Sequence, residues 1–232
     1  MPSFDIVKES KPKETYRISS ILSAFDLDIT KISEHFKGSI DIEGNDWNVG
    51  LIVGGSGTGK TTIAKNVFGK HFNDFSYISE AVVDDMPKGK SIKEITKAFT
   101  SVGFASPPSW LRPYQVLSNG ERMRCDLANC ILQEQDIIVF DEFTSVVNRE
   151  VAKTGSYAIS KAVRKLGKKF VAVACHSDIV DWLEPDWIYN TDEQRFFFAM
   201  ENIKGQKSKL IYSGLGTKIK KEYGKFSGSI II

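Results

Sequence analysis

The strongest chemical signal in this sequence of 232 residues is a glycine-rich run that ends in a lysine and threonines. Residues 54–61, the glycine loop, read GGSGTGKT and fill the pattern G-x-x-x-x-G-K-[ST] between an apolar run and a helical pattern. Glycines let backbone N–H groups turn toward a polyphosphate, and the positive end of the following helix adds to that attraction. Lys60 would supply a charge for the β- and γ-phosphates, and the Thr61 hydroxyl would complete the shell of a Mg²⁺ ion. The predicted ligands are Gly54, Gly55, Ser56, Gly57, Thr58, Gly59, Lys60, Thr61 and Thr62.

Two carboxylates follow a second apolar run, which reads IIVF at residues 137–140. Asp141, at the end of a buried strand, would lie beside the glycine loop and reach the metal ion. Glu142 would orient or deprotonate the attacking water as a general base. The alternative is that the two acids only mark the end of a strand, and the glycine loop upstream favours the catalytic interpretation.

The elements that must position these residues alternate between strands and helices. Such alternation predicts an α/β sheet covered by helices on both faces. Residues 17–29 fit a strand or a short helix equally well. Strands are predicted at Ile40 and Ile42 and at residues 49–53, 137–140 and 170–175, and helices at residues 60–68, 92–102, 121–133 and 151–166.

Composition limits the classes of protein that fit. Apolar residues make up 41% of the chain and charged residues 26%, the balance of an ordinary globular protein. The net charge is only +2, which is too small to argue for a nucleic-acid or membrane partner. Three cysteines (Cys125, Cys130 and Cys175) cannot form a complete disulfide framework and fit a reducing compartment. No apolar run approaches the about 18–20 residues of a membrane helix, and the N-terminus lacks a signal-peptide pattern. We therefore expect a cytoplasmic protein with no membrane contact.

The two ends of the chain differ from its middle. Residues 1–16 are polar and contain two prolines, so we expect a loose N-terminal segment. Residues 201–232 carry seven lysines against two glutamates, and their end at 229–232 is apolar enough to form a strand. This basic tail, like the basic stretch of residues 161–169, fits either a solvated surface or a contact for nucleic acid or an acidic partner.

Residues 117–121, the signature turn, read LSNGE, and His176 follows the apolar run of 170–175. With the glycine loop and the acids, these motifs stand in an order that resembles the nucleotide-binding domain of ABC-type ATPases, over about residues 17–190. The resemblance implies that Ser118 and Gly120 contact the γ-phosphate of an ATP held mainly by another subunit. It also implies that His176 senses the γ-phosphate and positions Glu142 and water. The plainer alternatives are a helix start of the capping-box type and a loop histidine bonded to backbone.

Several positions depart from the family pattern. Asn119 replaces a glycine, Glu121 a glutamine and Asn148 an aspartate, so coupling between subunits is expected to be altered. Asp84 stands where the family has a glutamine that touches Mg²⁺, and it is the third predicted metal ligand. An aromatic ring that stacks on adenine is expected upstream of the glycine loop, with Phe25 as the first choice and Phe36 as the second.

The fold class implied by the resemblance is an α/β P-loop NTPase of ABC type. It has a mostly parallel sheet covered by helices, an antiparallel part trimmed by the short interval after the glycine loop, and a small helical subdomain at about residues 88–130. The ATPase domain would span residues 17–200.

The implied function is an ATP-driven dimerisation switch that binds and hydrolyses ATP with Mg²⁺ as a homodimer. Residues 106–113, 141–147 and 175–187 further resemble a soluble branch from phages and bacteria whose members are often joined to an acetyltransferase-like domain. We expect any such domain on a separate partner protein. The alternatives are the energy subunit of a membrane transporter and a nucleic-acid-associated switch regulated by ATP.

Overall fold

The structure is a computed structural model that describes residues 3–10, 13, 15–26, 32–69, 72, 75–200 and 211–212. Strands alternate with helices through the middle of the chain, as the sequence predicts. The strands are β1 (Ser3–Ser10), β2 (Ile32–Ser39), β3 (Val49–Val53), β4 (Ile137–Phe140), β5 (Lys169–Ala174), β6 (Trp187–Asn190), β7 (Arg195–Met200) and β8 (Ile211–Tyr212). The helices are α1 (Tyr16–Ala24), α2 (Lys60–Phe68), α3 (Ile92–Ser101), α4 (Pro107–Trp110), α5 (Asn119–Leu132), α6 (Arg149–Leu166) and α7 (Val180–Leu183).

The main sheet within the described residues has the strand order β4-β5-β3-β6-β7-β8. The first four strands in that order run parallel, and β7 and β8 are antiparallel to their neighbours. The structure confirms the predicted fold class, an α/β fold with a mostly parallel sheet. The loops after β3, β4, β5 and β6 all leave from one edge of this sheet, where ligands collect in open α/β folds.

Alternate residues of the central strand β3 face two different layers. Val49, Leu51 and Val53 belong to the buried cluster that α3, α5 and α6 cover, whereas Ile52 faces α2 and the N-terminal hairpin. Both faces are apolar because the parallel strands are covered on both sides. The rigid sheet therefore fixes the loops at its edge.

The helical region after the glycine loop shares its core with the sheet. Phe99 of α3 packs edge-on against Phe104, with ring centroids 5.1 Å apart, and Trp110 closes the group. These rings belong to the same buried cluster as Leu51 and Leu127. Helices α3, α4 and α5 correspond to the predicted helical subdomain, and α5 extends beyond its expected end near residue 130.

The N-terminal segment corrects an expectation. Residues 3–10 were expected to be loose, but they form β1, which pairs antiparallel with β2 along its whole length. Phe4 is buried and lies edge-on to Tyr189 of the main sheet, with ring centroids 5.6 Å apart. Apolar residues at alternate positions, Phe4 and Ile6, give β1 an inner face that the lysines and prolines around it obscured. Residues 16–24 are helical, and Ile40 and Ile42 follow β2 instead of forming a strand.

The basic tail also contains a strand. Ile211 and Tyr212 pair with Met200 and Ala199 of β7, so these two residues of the tail add a short strand to the sheet. The predicted strand at 229–232 and the lysines of the tail lie outside the described residues. Within the described part, no helix is both long and apolar enough to cross a lipid bilayer.

The three cysteines, all among the described residues, are free. Cys125 and Cys130 are buried on α5, and burial raises the pKa of the Cys125 thiol to about 12. Such a thiol stays protonated, so Cys125 is a packing residue and not a nucleophile.

Candidate functional site

The glycine loop connects the buried strand β3 to α2. Gly57 and Gly59 have φ angles of 82° and 84°, in the left-handed region that favours glycine. At Gly59 a Cβ atom would lie only 2.4 Å from the ring of Phe36, so this position needs glycine for space as well. The loop thus turns its backbone inward at the N-terminus of α2, the geometry in which N–H groups bind an anion.

Lys60 begins α2, and its side chain folds back over the glycine loop. Its ammonium donates to the Gly55 carbonyl at 2.5 Å, and the residue is only 6% exposed. The Thr58 hydroxyl donates to the same carbonyl at 2.9 Å. The cation therefore lies inside the curve of the loop, within reach of any polyphosphate that the loop encloses.

Thr61 and Asp141 meet as the sequence predicts. The Thr61 hydroxyl donates to Asp141 Oδ1 at 3.1 Å, although the two residues are 80 positions apart. Mg²⁺ commonly takes one or two protein oxygens together with phosphate oxygens and water, so this pair fits a Mg²⁺ site completed by a nucleotide. The described residues contain no group of three or more His, Cys, Asp or Glu that could hold a metal without that help.

Asp84, the third predicted metal ligand, is exposed on a turn that packs against the helical region. The amides of Val82 and Val83 in this turn donate to the carbonyls of Arg112 and Trp110. Within the described part of the chain, no hydrogen bond joins Asp84 to Thr61 or Asp141. Its role as a metal ligand stays a prediction.

Glu142 is held in one orientation by its neighbours. Its amide donates to Asp141 Oδ1 at 3.0 Å, and its carboxylate accepts from the Ser145 hydroxyl at 2.6 Å. Glu142 and Thr144 have φ angles of 51° and 68°, values that cost energy for residues other than glycine. The Thr144 hydroxyl is buried without a hydrogen-bond partner. Backbone strain and an unsatisfied polar group thus lie directly beside the predicted general base.

His176 lies two residues after β5, the strand between β4 and β3. The Phe143 amide donates to the Val173 carbonyl at 2.8 Å, so the loop that carries Glu142 is attached to the same strand. The histidine is exposed, and no hydrogen bond between His176 and Glu142 is present in the part of the chain that the structure describes. The topology places the two residues at one edge of the sheet, and their direct contact stays a prediction.

The signature turn forms a capping box at the start of α5. The Ser118 hydroxyl donates to Glu121 Oε2 at 2.7 Å, while the Glu121 amide donates back to Ser118 Oγ at 3.4 Å. Ser109 also donates to this carboxylate, and hydrogen bonds from Ser109 and then Ser118 lower the pKa of Glu121. The signature turn is therefore a helix start of the capping-box type. The N-terminus of this 14-residue helix is exposed at Ser118 and Asn119.

The other two departures from the family pattern have local structural roles. The Asn119 side-chain amide donates to the Val146 carbonyl at 3.2 Å. Asn148 caps α6, because its side-chain oxygen accepts from the Val151 amide at 2.9 Å. The signature turn is thus attached to the loop that follows the acidic pair.

The two aromatic candidates occupy different places. Phe25 ends α1 and is 71% exposed. Phe36 of β2 packs against the glycine loop at Gly59. The structure places Phe36, the second choice for the adenine ring, at the glycine loop. Phe25, the first choice, lies at the end of a helix that has no buried residues.

Most of the basic stretch of residues 161–169 forms contacts within the chain. Arg164 forms an ion pair with Asp186 at 2.8 Å, and the Lys168 ammonium donates to the Gln133 carbonyl. Lys169 lies over the Trp47 ring. This stretch therefore offers a smaller free cationic surface than its sequence indicates.

Sequence reasoning missed two residues that contact the glycine loop. Thr191 and Asp192 follow β6, and Asp192 accepts hydrogen bonds from the Gly55 amide at 3.0 and 3.1 Å. The hydroxyls of Thr191 and Thr58 are 2.6 Å apart. The only local signal was a polar run after an apolar one, which is common at the end of a strand.

No family model matches the sequence. Among solved structures, the dimeric structure of MJ0796, described as a bacterial ABC transporter cassette, matches with a TM-score of 0.53 and 13% identity, over 80% of this chain and 94% of that one. The fold is that of an ATP-binding cassette. A structure of MJ0796 bound to ADP and Pi, described as a post-hydrolysis state, gives a TM-score of 0.53 at 14% identity, over the same shares of the two chains.

A second cassette resembles the chain to a similar degree. It is cbiO1 from Clostridium perfringens, described as part of the ABC transporter complex cbiONQ, with a TM-score of 0.51, 16% identity and coverage of 80% of this chain and 84% of that one. At identities this low, the comparisons show a shared fold. The chemistry has to be argued from the site residues of this chain.

Proposed function

We propose that the protein is an ABC-type ATPase that binds and hydrolyses Mg-ATP and dimerises when ATP is bound. The observation that carries this proposal is the hydrogen bond between Thr61 and Asp141, made beside a glycine loop with Lys60 inside its curve. This arrangement combines anion-binding amides, a mobile cation and two oxygen ligands for Mg²⁺. These are the components that phosphoryl transfer from a nucleoside triphosphate needs.

Each residue has a distinct role in this proposal. Lys60 would leave the Gly55 carbonyl to bind the β- and γ-phosphates, and Thr61 and Asp141 would hold Mg²⁺. The ion would supply charge neutralisation at the transferred phosphoryl group. Glu142, oriented by Ser145, accepts the proton of the attacking water, and His176 contacts the γ-phosphate.

The adenine base would stack on Phe36. The ring packs against Gly59 at the start of α2, so it lies next to the loop that holds the phosphates. A base stacked there joins both ends of the nucleotide to one rigid surface.

Dimerisation would complete the site. The outward N-terminus of α5, with Ser118 and Gly120, is suited to an anion supplied by a second protomer. Val146 is 69% exposed beside this turn, an apolar side chain that a second copy would cover. Two solved structures of one cassette with this fold, MJ0796, are described as dimeric. Closure on ATP and release after hydrolysis make a ligand-controlled switch.

The test is the solution mass of Glu142→Gln with and without Mg-ATP, measured by light scattering. Removal of the general base should let ATP bind without turnover, so we expect a monomer that becomes a dimer only with Mg-ATP. The double variant that adds Lys60→Ala should stay monomeric, because it lacks the cation for the phosphates. Normal turnover by Glu142→Gln would contradict the role of Glu142, and unchanged ATP affinity in Lys60→Ala would contradict the nucleotide site.

A second candidate is the energy subunit of a membrane transporter. The observation in its favour is that the resembling cassettes are described as parts of ABC transporters. Such a subunit uses the same ATP site, so hydrolysis does not separate the two candidates. Stable co-purification with an integral membrane protein supports the transporter role, and ATP-dependent dimers formed by the chain alone support the switch.

A further inference from the structure

The turn between β6 and β7, residues 190–194, contacts two residues of the glycine loop and the last residue of β3. Both Asp192 carboxylate oxygens accept from the Gly55 amide, at 3.0 and 3.1 Å. The Thr191 hydroxyl lies 2.6 Å from that of Thr58 and also donates to the Val53 carbonyl at 3.3 Å. The turn is therefore hydrogen-bonded to the start of the loop, to its middle and to the strand that precedes it.

This contact is close and locally ordered. A Cβ atom at Gly54 would lie 2.1 Å from the Thr191 hydroxyl, so the approach needs glycine at that position. Asn190 organises the turn, because its side-chain oxygen accepts from the amides of Asp192 and Glu193 at 2.9 and 3.3 Å. Thr191 is only 5% exposed. The hydrogen-bonded turn thus holds Asp192 against the loop.

Opposite charges converge on one residue of the loop. The Gly55 carbonyl accepts from the Lys60 ammonium, and the Gly55 amide donates to the Asp192 carboxylate. Asp192 and the Lys60 cation that is proposed to bind the phosphates are therefore both hydrogen-bonded to the same residue, Gly55. Any polyphosphate bound in the loop experiences both charges.

We propose that Asp192 is a positioning residue of the nucleotide site that also makes the glycine loop select triphosphates carrying Mg²⁺. This inference rests on the proposed function. The hydrogen bond to Gly55 holds the first turn of the loop in its binding conformation. The charge repels any triphosphate, and it repels a metal-free triphosphate more strongly because that ligand carries more negative charge.

The test compares the affinity for ATP in excess Mg²⁺ with that in excess EDTA, by isothermal titration calorimetry at fixed ionic strength. Asp192→Asn keeps an oxygen that accepts from Gly55 and removes the charge. We expect its affinity for Mg-ATP to rise slightly and its affinity for metal-free ATP to rise more, because the metal-free ligand carries more negative charge. The ratio of the dissociation constant for metal-free ATP to that for Mg-ATP should fall about fivefold, as expected for exposed charges several ångströms apart.

Two further variants separate the hydrogen bond from the charge. Asp192→Ala removes both, so it should weaken Mg-ATP binding as well as lower the ratio. Thr191→Val keeps the shape of the side chain and loses the hydroxyl contact with Thr58, so it should weaken binding of both forms and leave the ratio unchanged. A purely structural role of the turn would not move this ratio.

The matched control is Glu193→Gln, which removes the same charge one residue away. An unchanged ratio in Asp192→Asn, or an equal fall in Glu193→Gln, would overturn the selective role of Asp192. A wild-type protein that binds no ATP in either condition would overturn the proposed function and this inference with it. Wild-type binding with an unchanged ratio in the variants would overturn the inference alone.

Discussion

Asn119 of the signature turn donates its side-chain amide to the carbonyl of Val146, in the loop that follows the acidic pair, at 3.2 Å. One residue before Val146, the Ser145 hydroxyl donates to the Glu142 carboxylate at 2.6 Å. The turn proposed to receive a second protomer's nucleotide is therefore connected, through two hydrogen bonds and one peptide unit, to this chain's own proposed general base.

Removing the Asn119 hydrogen bond should loosen the signature turn. A neutral hydrogen bond contributes about 1 kcal/mol, so Asn119→Ala should weaken Mg-ATP-dependent dimerisation about fivefold. Asn119→Asp keeps the shape but places an acceptor against the Val146 carbonyl, and it should weaken dimerisation further. The measurement is the dimer dissociation constant in the Glu142→Gln background. Dimers as tight as those of the parent would show that the bond has no role in assembly.

The Ser145 hydroxyl should matter for turnover and not for binding. Ser145→Ala frees the Glu142 carboxylate from its fixed orientation, and we expect kcat to fall about tenfold, the size of one charge-assisted hydrogen bond. The dissociation constant for Mg-ATP should not change. Ser145→Thr keeps a hydroxyl and is the matched control, which should recover most of kcat. Equal loss in both variants would point to packing instead of orientation.

Replacing Phe36 and replacing Phe25 should have different effects on the affinity for ATP. Phe36→Leu keeps apolar bulk against Gly59 but removes the ring, and the loss of one base–aromatic stack should raise the dissociation constant for ATP about tenfold. Binding of inorganic triphosphate should be unaffected, because it has no base. Phe25→Leu should change neither ligand. A selective loss of ATP binding in Phe25→Leu would restore the first choice made from the sequence.

Local patterns predicted the elements that carry the chemistry. Helix α2 begins and ends where its apolar spacing indicates, and β4 ends at the residue before Asp141. The contact between Thr61 and Asp141 could be expected from sequence because parallel strands bring their carboxyl ends to one edge of a sheet.

Features that depend on contacts between distant segments could not be predicted in the same way. Asp192 and Gly55 are 137 positions apart, and neither the turn nor the loop carries a local signal of the other. The choice between Phe36 and Phe25 depends on how the N-terminal hairpin lies on α2. Strand β1 was missed because the polar composition around Phe4 outweighed a short alternating pattern.

A half-buried carboxylate on α5 connects the signature helix to the segment after α2. Asp126 accepts from the hydroxyls of Tyr77 and Tyr114 at 2.7 and 2.8 Å, and the two rings are stacked with centroids 4.0 Å apart. Burial raises the pKa of Asp126 to about 6, and the two tyrosine hydrogen bonds only partly oppose this. Asp126 is therefore a titratable group from which a pH dependence of stability is expected.

The sign of that dependence follows from the two states of the chain. The pKa of Asp126 is raised from 3.8 to about 6 on folding, so between these values the folded protein keeps a proton that the unfolded chain releases. The free energy of unfolding should therefore fall as the pH rises through this window, by up to about 3 kcal/mol, and then level off. Asp126→Asn has no proton to release, so its stability should fall less over the same range.

Urea unfolding of the wild type and of Asp126→Asn at a series of pH values measures this difference. The variant loses part of its hydrogen bonding with Tyr77 and Tyr114, so its stability is compared by slope and not by absolute value. The difference in unfolding free energy between the two proteins should shift in favour of the variant as the pH rises from about 4 to about 6. Parallel curves would show that Asp126 has the same pKa in both states, and that its burial among the tyrosines is offset by hydrogen bonding.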